Sequence, residues 1–113
     1  MIQGFEEYTI DVTPEEIRVV NLIAKSISLR IGAGNAITNR EIRKKLSERN
    51  MDTSDAKIRK YIQYIRVHNM APKLCASKNG YYIAESEEDW VKYRESFRER
   101  VRSMQFTLAC MGE

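Results

Sequence analysis

The sequence predicts a mostly helical α+β fold in one domain, and three observations carry that prediction. Apolar residues recur at three- and four-residue steps in four separate stretches, as one buried helix face requires. A capping signal precedes each of those stretches. One segment, KLCASKNGYYIA at residues 73 to 84, breaks the helical rhythm and reads as two short strands meeting at an Asn-Gly turn.

The elements follow in order. YTIDV, residues 8 to 12, alternates as an edge strand does. Thr13 then caps a first helix, with Pro14 at the first helical position and Glu16 closing a capping box. Ile17, Val20, Ala24, Ile27 and Ile31 share one face of it and form its core stripe. Val19, Leu22 and Leu29 fall off that stripe, so the helix needs packing neighbours on more than one side. Gly32-Ala33-Gly34-Asn35 ends it, and Ala36 and Ile37 make a brief extended entry.

TNRE, residues 38 to 41, is a second capping box. The short helix after it sets Ile42 and Leu46 against Arg43, Lys44 and Lys45 on the other side. Asn50-Met51-Asp52 breaks the pattern, and Thr53 or Ser54 caps a third helix running to about Asn69, with Ile58, Tyr61, Ile62 and Ile65 as its buried stripe. Pro72 forbids further helix, and Asn79-Gly80 is expected to supply the positive φ angles of the hairpin turn. Ser86 caps a final helix whose acidic first turn, Glu87-Glu88-Asp89, suits the helix dipole. Along it Trp90, Tyr93, Phe97, Val101, Met104, Leu108 and Met111 form a seam at nearly coiled-coil spacing.

At 113 residues, 42% hydrophobic and 31% charged, the chain has the size and composition of a single folded domain. Its net charge of +3 is unevenly spread: residues 1–37 carry −2, residues 38–84 carry +7 and residues 85–113 carry −2. A basic middle between mildly acidic flanks is the polarity that attracts a phosphate backbone. No apolar run approaches the roughly 20 residues of a membrane span, and MIQGFEEY lacks the regions of a secretion signal, so the expected place is the cytoplasm. Cys75 and Cys110 form no Cys-x-x-Cys pair and have no histidine at ligand spacing, which points to idle or buried thiols. His68, the one histidine, belongs to the end of the third helix. No phosphate loop, nucleophile elbow or metal cluster is visible, so neither catalysis, nor a metal, nor a cofactor is expected.

A short basic helix, a break, a longer helix with a cationic outer face and a hairpin follow one another over residues 37–84, ending in IRKYIQYIR, then AP, then NGYYIA. That stretch resembles the winged helix-turn-helix DNA-binding domains of bacterial and phage regulators and replication proteins. The resemblance divides the single domain, 1–113, into a winged-helix core at 13–84 and a C-terminal helix at 85–113. It implies that the third helix enters the major groove of double-stranded DNA. Lys57 and Lys60 are then expected to meet bases or phosphates, and Thr53, Ser54 and Gln63 to form hydrogen bonds, with Arg59 and Tyr64 on the same helix. Arg40, Arg43 and Lys44 of the supporting helix would touch the sugar-phosphate backbone. Ser77, Lys78 and Asn79 would form the wing tip.

The implied function is sequence-specific DNA binding by a transcriptional regulator that acts by occupying its site. The alternatives are a winged-helix module for protein partners, a replication-associated adaptor, or a binder of structured RNA. The last seam, with Trp90, Phe97, Val101, Met104 and Leu108 as dimerisation candidates, either folds back within the chain or pairs with its twin. A homodimer using this helix and the first one is the expectation.

Overall fold

The computed structural model describes residues 11–112. The edge strand expected at residues 8–12 falls mostly outside them, and Asp11 and Val12 belong to no strand. The order is α1 (Pro14–Ser28), α2 (Asn39–Ser47), α3 (Asp55–Val67), β1 (Leu74–Ser77), β2 (Gly80–Ile83) and α4 (Glu87–Cys110), with a 3-10 turn, Ala33–Asn35, between α1 and α2.

Both capping boxes form. The Glu16 N–H donates to Thr13 Oγ1 at 3.1 Å while the Thr13 N–H donates to Glu16 Oε1 at 2.9 Å. Thr38 and Glu41 repeat the exchange at 3.1 and 3.0 Å at the start of α2. Each box satisfies donors that a helix start leaves without partners. Ser54 alone caps α3, accepting from the Lys57 N–H at 3.2 Å, so the helix begins one residue later than the Thr53 alternative allows.

Two helices end on the same device. Asn50 and Asn69 take left-handed φ angles of 59° and 52°, and the next residue reaches back: Met51 N–H to Leu46 O and Met70 N–H to Ile65 O, both at 2.9 Å. Asparagine tolerates that conformation better than most residues, and the methionine after it packs partly buried on the core.

The first helix is shorter than its sequence periodicity predicts. It stops at Ser28, and Ile31, expected on the core stripe, is 47% exposed. The cause is distant in sequence: Ile83 N–H donates to Arg30 O at 2.7 Å and Gly32 N–H donates to Ile83 O at 2.8 Å, so β2 draws this stretch into extended pairing. Ile23, not on the expected stripe, is buried beside Val20, Ala24 and Ile27.

The hairpin pairs Leu74 with Ile83 and Ser77 with Gly80, which leaves Lys78 and Asn79 as the turn. Of residues 77–80 only Gly80 has a positive φ, 116°, so the expected Asn79-Gly80 turn is displaced by one residue. On the other edge of β2, Ile37 and Tyr81 exchange backbone hydrogen bonds at 2.9 and 2.8 Å. The extended entry read at Ile37 is therefore a third, one-residue rung, and it fastens the hairpin to the start of α2. A Cβ on Gly80 would lie 2.2 Å from the Ile37 carbonyl oxygen, so this approach needs glycine.

One core joins α1, α2, α3 and the hairpin. Ile27, Ile37, Ile58 and Ile65 are fully buried in it, each contributing about 2 kcal/mol of gross apolar transfer. Cys75 is also buried, which pushes its thiol pKa up, whereas Cys110 is exposed on α4. No residue of α4 is buried. Its first turns lie beside the C-terminal half of α3, where Trp90 and Tyr93 are half-buried, and its later turns are exposed. Among the described residues no helix is long and apolar enough to cross a membrane.

Candidate functional site

The rotation of α3 is set by its buried side chains, Ile58, Tyr61, Ile62 and Ile65. At 100° per residue the opposite side carries Ala56, Lys60, Gln63 and Val67, with Arg59 at its edge; all are exposed except Lys60, which is partly so. The expected stripe, Thr53, Lys57, Lys60 and Tyr64, runs from that side onto the flank beside it, where Lys60 reaches Glu16 of α1. Lys57 on that flank remains exposed, and the other three are engaged.

Lys60 links α3 to α1. Its Nζ lies 3.3 Å from both carboxylate oxygens of Glu16, and its side chain is 38% exposed. The Tyr61 hydroxyl donates to the same carboxylate at 2.8 Å. Hydrogen bonds from the Thr13 N–H and the Tyr61 hydroxyl, together with Lys60, hold the Glu16 carboxyl at about 2. Burial, reinforced by Glu16, pushes Tyr61 up to about 12. Lys60 thus ties the start of α1 to α3. Thr53 is half-buried with Oγ1 shut off from solvent, and Tyr64 packs on the core with its ring 4.1 Å from that of His68. Thr53 therefore keeps its hydroxyl oxygen away from solvent.

Arg40, Arg43 and Lys44 are exposed and line, with Ser47, Asp52 and Thr53, a polar groove of about 350 Å³ between α2 and the start of α3. Arg43 bridges to Asp55 at 3.4 Å with both side chains about half exposed, an interaction worth at most about 1 kcal/mol and open to competition by another anion. Ser54 is exposed, with its Oγ already accepting the capping hydrogen bond.

Ser77, Lys78 and Asn79 are exposed at the hairpin tip, and Ser77 Oγ accepts from the Asn79 N–H at 3.1 Å. Because Gly80 abuts Ile37 and Thr38, this tip lies beside the chain entering α2. Lys78 and the α2 cations therefore belong to neighbouring parts of one surface. Lys57 and Arg59 are both exposed at the start of α3, pointing about 160° apart around the helix.

Further along α3 the surroundings change. Gln63 and Val67 share a groove of about 550 Å³ with Trp90, Tyr93, Phe97 and Arg98. Arg66 closes its floor, donating to the Tyr93 hydroxyl at 2.8 Å and lying 5.9 Å from the Tyr93 and Phe97 rings. Arg94 and Arg98 of α4 line this groove too and have no place in the sequence reading of the site. Their signal was present as two arginines four residues apart on one shoulder of the α4 seam, a spacing that puts them on the same face.

Among the described residues, this part of the molecule presents cations and hydrogen-bonding side chains on α2, α3 and the hairpin tip. Comparison with protein-family models, with curated proteins and with solved structures finds no match for this chain.

Proposed function

We propose that this protein is a winged helix-turn-helix protein that binds double-stranded DNA and acts as a site-occupying regulator of bacterial or phage type. One observation carries the reading. Arg40, Arg43 and Lys44 of α2, Lys57 and Arg59 of α3 and Lys78 of the hairpin tip are exposed on a frame in which the Ile37–Tyr81 rung locks hairpin to helix pair. The N-terminal half of α3 enters the major groove, α2 lies across the backbone and the tip reaches adjacent phosphates. Arg59 joins Lys57 and Lys60 as a cation of the reading helix, the Lys60–Glu16 pair being, like Arg43–Asp55, partly exposed and open to competition by another anion. Gln63, on the exposed side, can present its amide to a base edge.

Six phosphate contacts correspond to a salt slope of about −5 in log affinity against log salt concentration. The test is a gel shift on duplex DNA across a salt series, comparing the natural chain with the Lys57→Glu, Arg59→Glu double variant. Binding that steepens at low salt and is lost in the variant is expected. Absence of binding at low salt, indifference to the charge reversal, or preferential competition by duplex RNA refutes the reading.

A protein-binding module is the second reading, favoured by the groove between α3 and α4. Trp90, Tyr93 and Phe97 give it aromatic walls of the kind that anchor protein partners.

A further inference from the structure

We propose that the distal half of α4 pairs antiparallel with the same segment of a second copy, the two helices crossing at Met104. This extends the DNA-binding reading by fixing how two such bodies are arranged, but it stands on α4 alone.

The seam of α4 divides at Phe97. Trp90 and Tyr93, on the near side, are half-buried against the chain's own α3. Beyond them Phe97, Val101, Met104, Leu108 and Met111 are 43, 41, 71, 46 and 76% exposed. For side chains of roughly 150–200 Å² each, that leaves about 500 Å² of apolar surface per copy and about 1,000 Å² for a pair, at the lower bound of a specific interface. The residues recur at steps of four, three, four and three, the spacing by which one helix covers another over several turns.

Charge selects the orientation. Arg94, Arg98, Arg100 and Arg102 crowd the middle of α4, and Arg100 lies over the Phe97 ring at 5.0 Å, on the edge of the seam. Glu95 and Glu99 are already occupied by Arg98 and Arg102 on their own helix. A parallel pair in register would set each arginine level with its own counterpart. The antiparallel pair sets Arg98, Arg100 and Arg102 beside the last turns of the partner helix, which hold no basic side chain and carry the negative end of the helix dipole. Phe97 then meets Met111, Val101 meets Leu108, and Met104 lies on the two-fold axis.

The consequence is a separation. Trp90 lies fourteen residues before Met104, so the two bodies stand about 40 Å apart along the helix pair. That is close to the roughly 34–36 Å of one duplex turn, the spacing at which two-fold partners read an inverted repeat.

Sedimentation equilibrium of the full chain without DNA, joined to cysteine cross-linking in a Cys110→Ser background, tests the proposal. A dimer at tens of micromolar is expected, turning monomeric in Leu108→Glu with an unchanged far-UV circular dichroism spectrum. Met104→Cys is expected to form a disulfide-linked dimer. Leu108→Cys alone is not, because antiparallel pairing leaves its two copies about 12 Å apart, beyond the roughly 7 Å a disulfide spans. A monomeric natural chain, or efficient self-linking of Leu108→Cys, overturns the proposal. A DNA-binding monomer would remove this inference alone, and a dimer indifferent to DNA would remove only the DNA-binding reading.

Discussion

Replacing Gly80 by alanine attacks the rung that fastens the hairpin to the helix pair. The substituted residue must hold a φ of 116°, and its Cβ would sit 2.2 Å from the Ile37 carbonyl oxygen and 2.8 Å from the Thr38 nitrogen. The backbone conformation costs an alanine about 1–3 kcal/mol. The clash is with main chain, so relief requires the Ile37–Tyr81 pair to separate, and its two hydrogen bonds are worth about 1 kcal/mol each. The sum is about 3–5 kcal/mol, against a total stability of about 5–15 kcal/mol for a domain this size. Urea unfolding followed by circular dichroism reads the loss as a fall in midpoint at unchanged slope. Gly34→Ala is the control, since nothing lies within 4 Å of its added Cβ, and it should change stability by less than about 0.5 kcal/mol. A Gly80→Ala protein within about 1 kcal/mol of the natural chain would refute the proposed close contact, and with it the placement of the hairpin tip beside α2.

The Glu16 cluster predicts an acid limb. Its carboxyl is held at about 2, below the ordinary 4.5, so its stabilisation is complete above about pH 4.5 and is lost as pH falls towards 2. Unscreened the difference is about 3 kcal/mol, and solvent screening reduces it to about 1–2 kcal/mol. Glu16→Gln should therefore flatten stability between pH 5 and 2, and a denaturation series with an unchanged acid limb would contradict the assignment. At the end of α3, Asn69→Ala should cost about 1 kcal/mol and Asn69→Gly almost nothing, because its φ of 52° penalises a Cβ without a compensating side-chain bond. Equal thermal midpoints for the two variants would remove that account of the helix end.

Much of the fold was legible because the signals are local. A capping box joins residues three apart, so Thr13 with Glu16 and Thr38 with Glu41 needed no knowledge of the rest of the chain. The stripes of α2 and α3 follow from helical periodicity, and Ile42, Leu46, Ile58, Tyr61, Ile62 and Ile65 are buried as that periodicity requires. The exposure of Arg40, Arg43, Lys44, Lys57 and Lys78, the cations of the candidate site, was legible in the same measure, as polar residues off the buried stripes should be.

Tertiary structure decided what depends on a partner far along the chain. Helix α1 gives up its last turn because Ile83, more than fifty residues later, offers hydrogen bonds to residues 30 and 32. Lys60 pairs with Glu16, 44 residues earlier, because the start of α1 packs beside α3, and a helical wheel drawn for α3 alone has no place for that carboxylate. Gly80 must be glycine because of Ile37, bridged to the other edge of β2, as well as because of its own turn. The seam of α4 looks uniform in sequence, yet α3 half-covers Trp90 and Tyr93 and leaves Met104 and Met111 to solvent. Local hydrogen bonding and periodicity settle where helices start and which face is apolar. Which of several apolar or charged neighbours each face meets is set only when the chain closes on itself, because those contacts compete across distances that a sequence window does not contain.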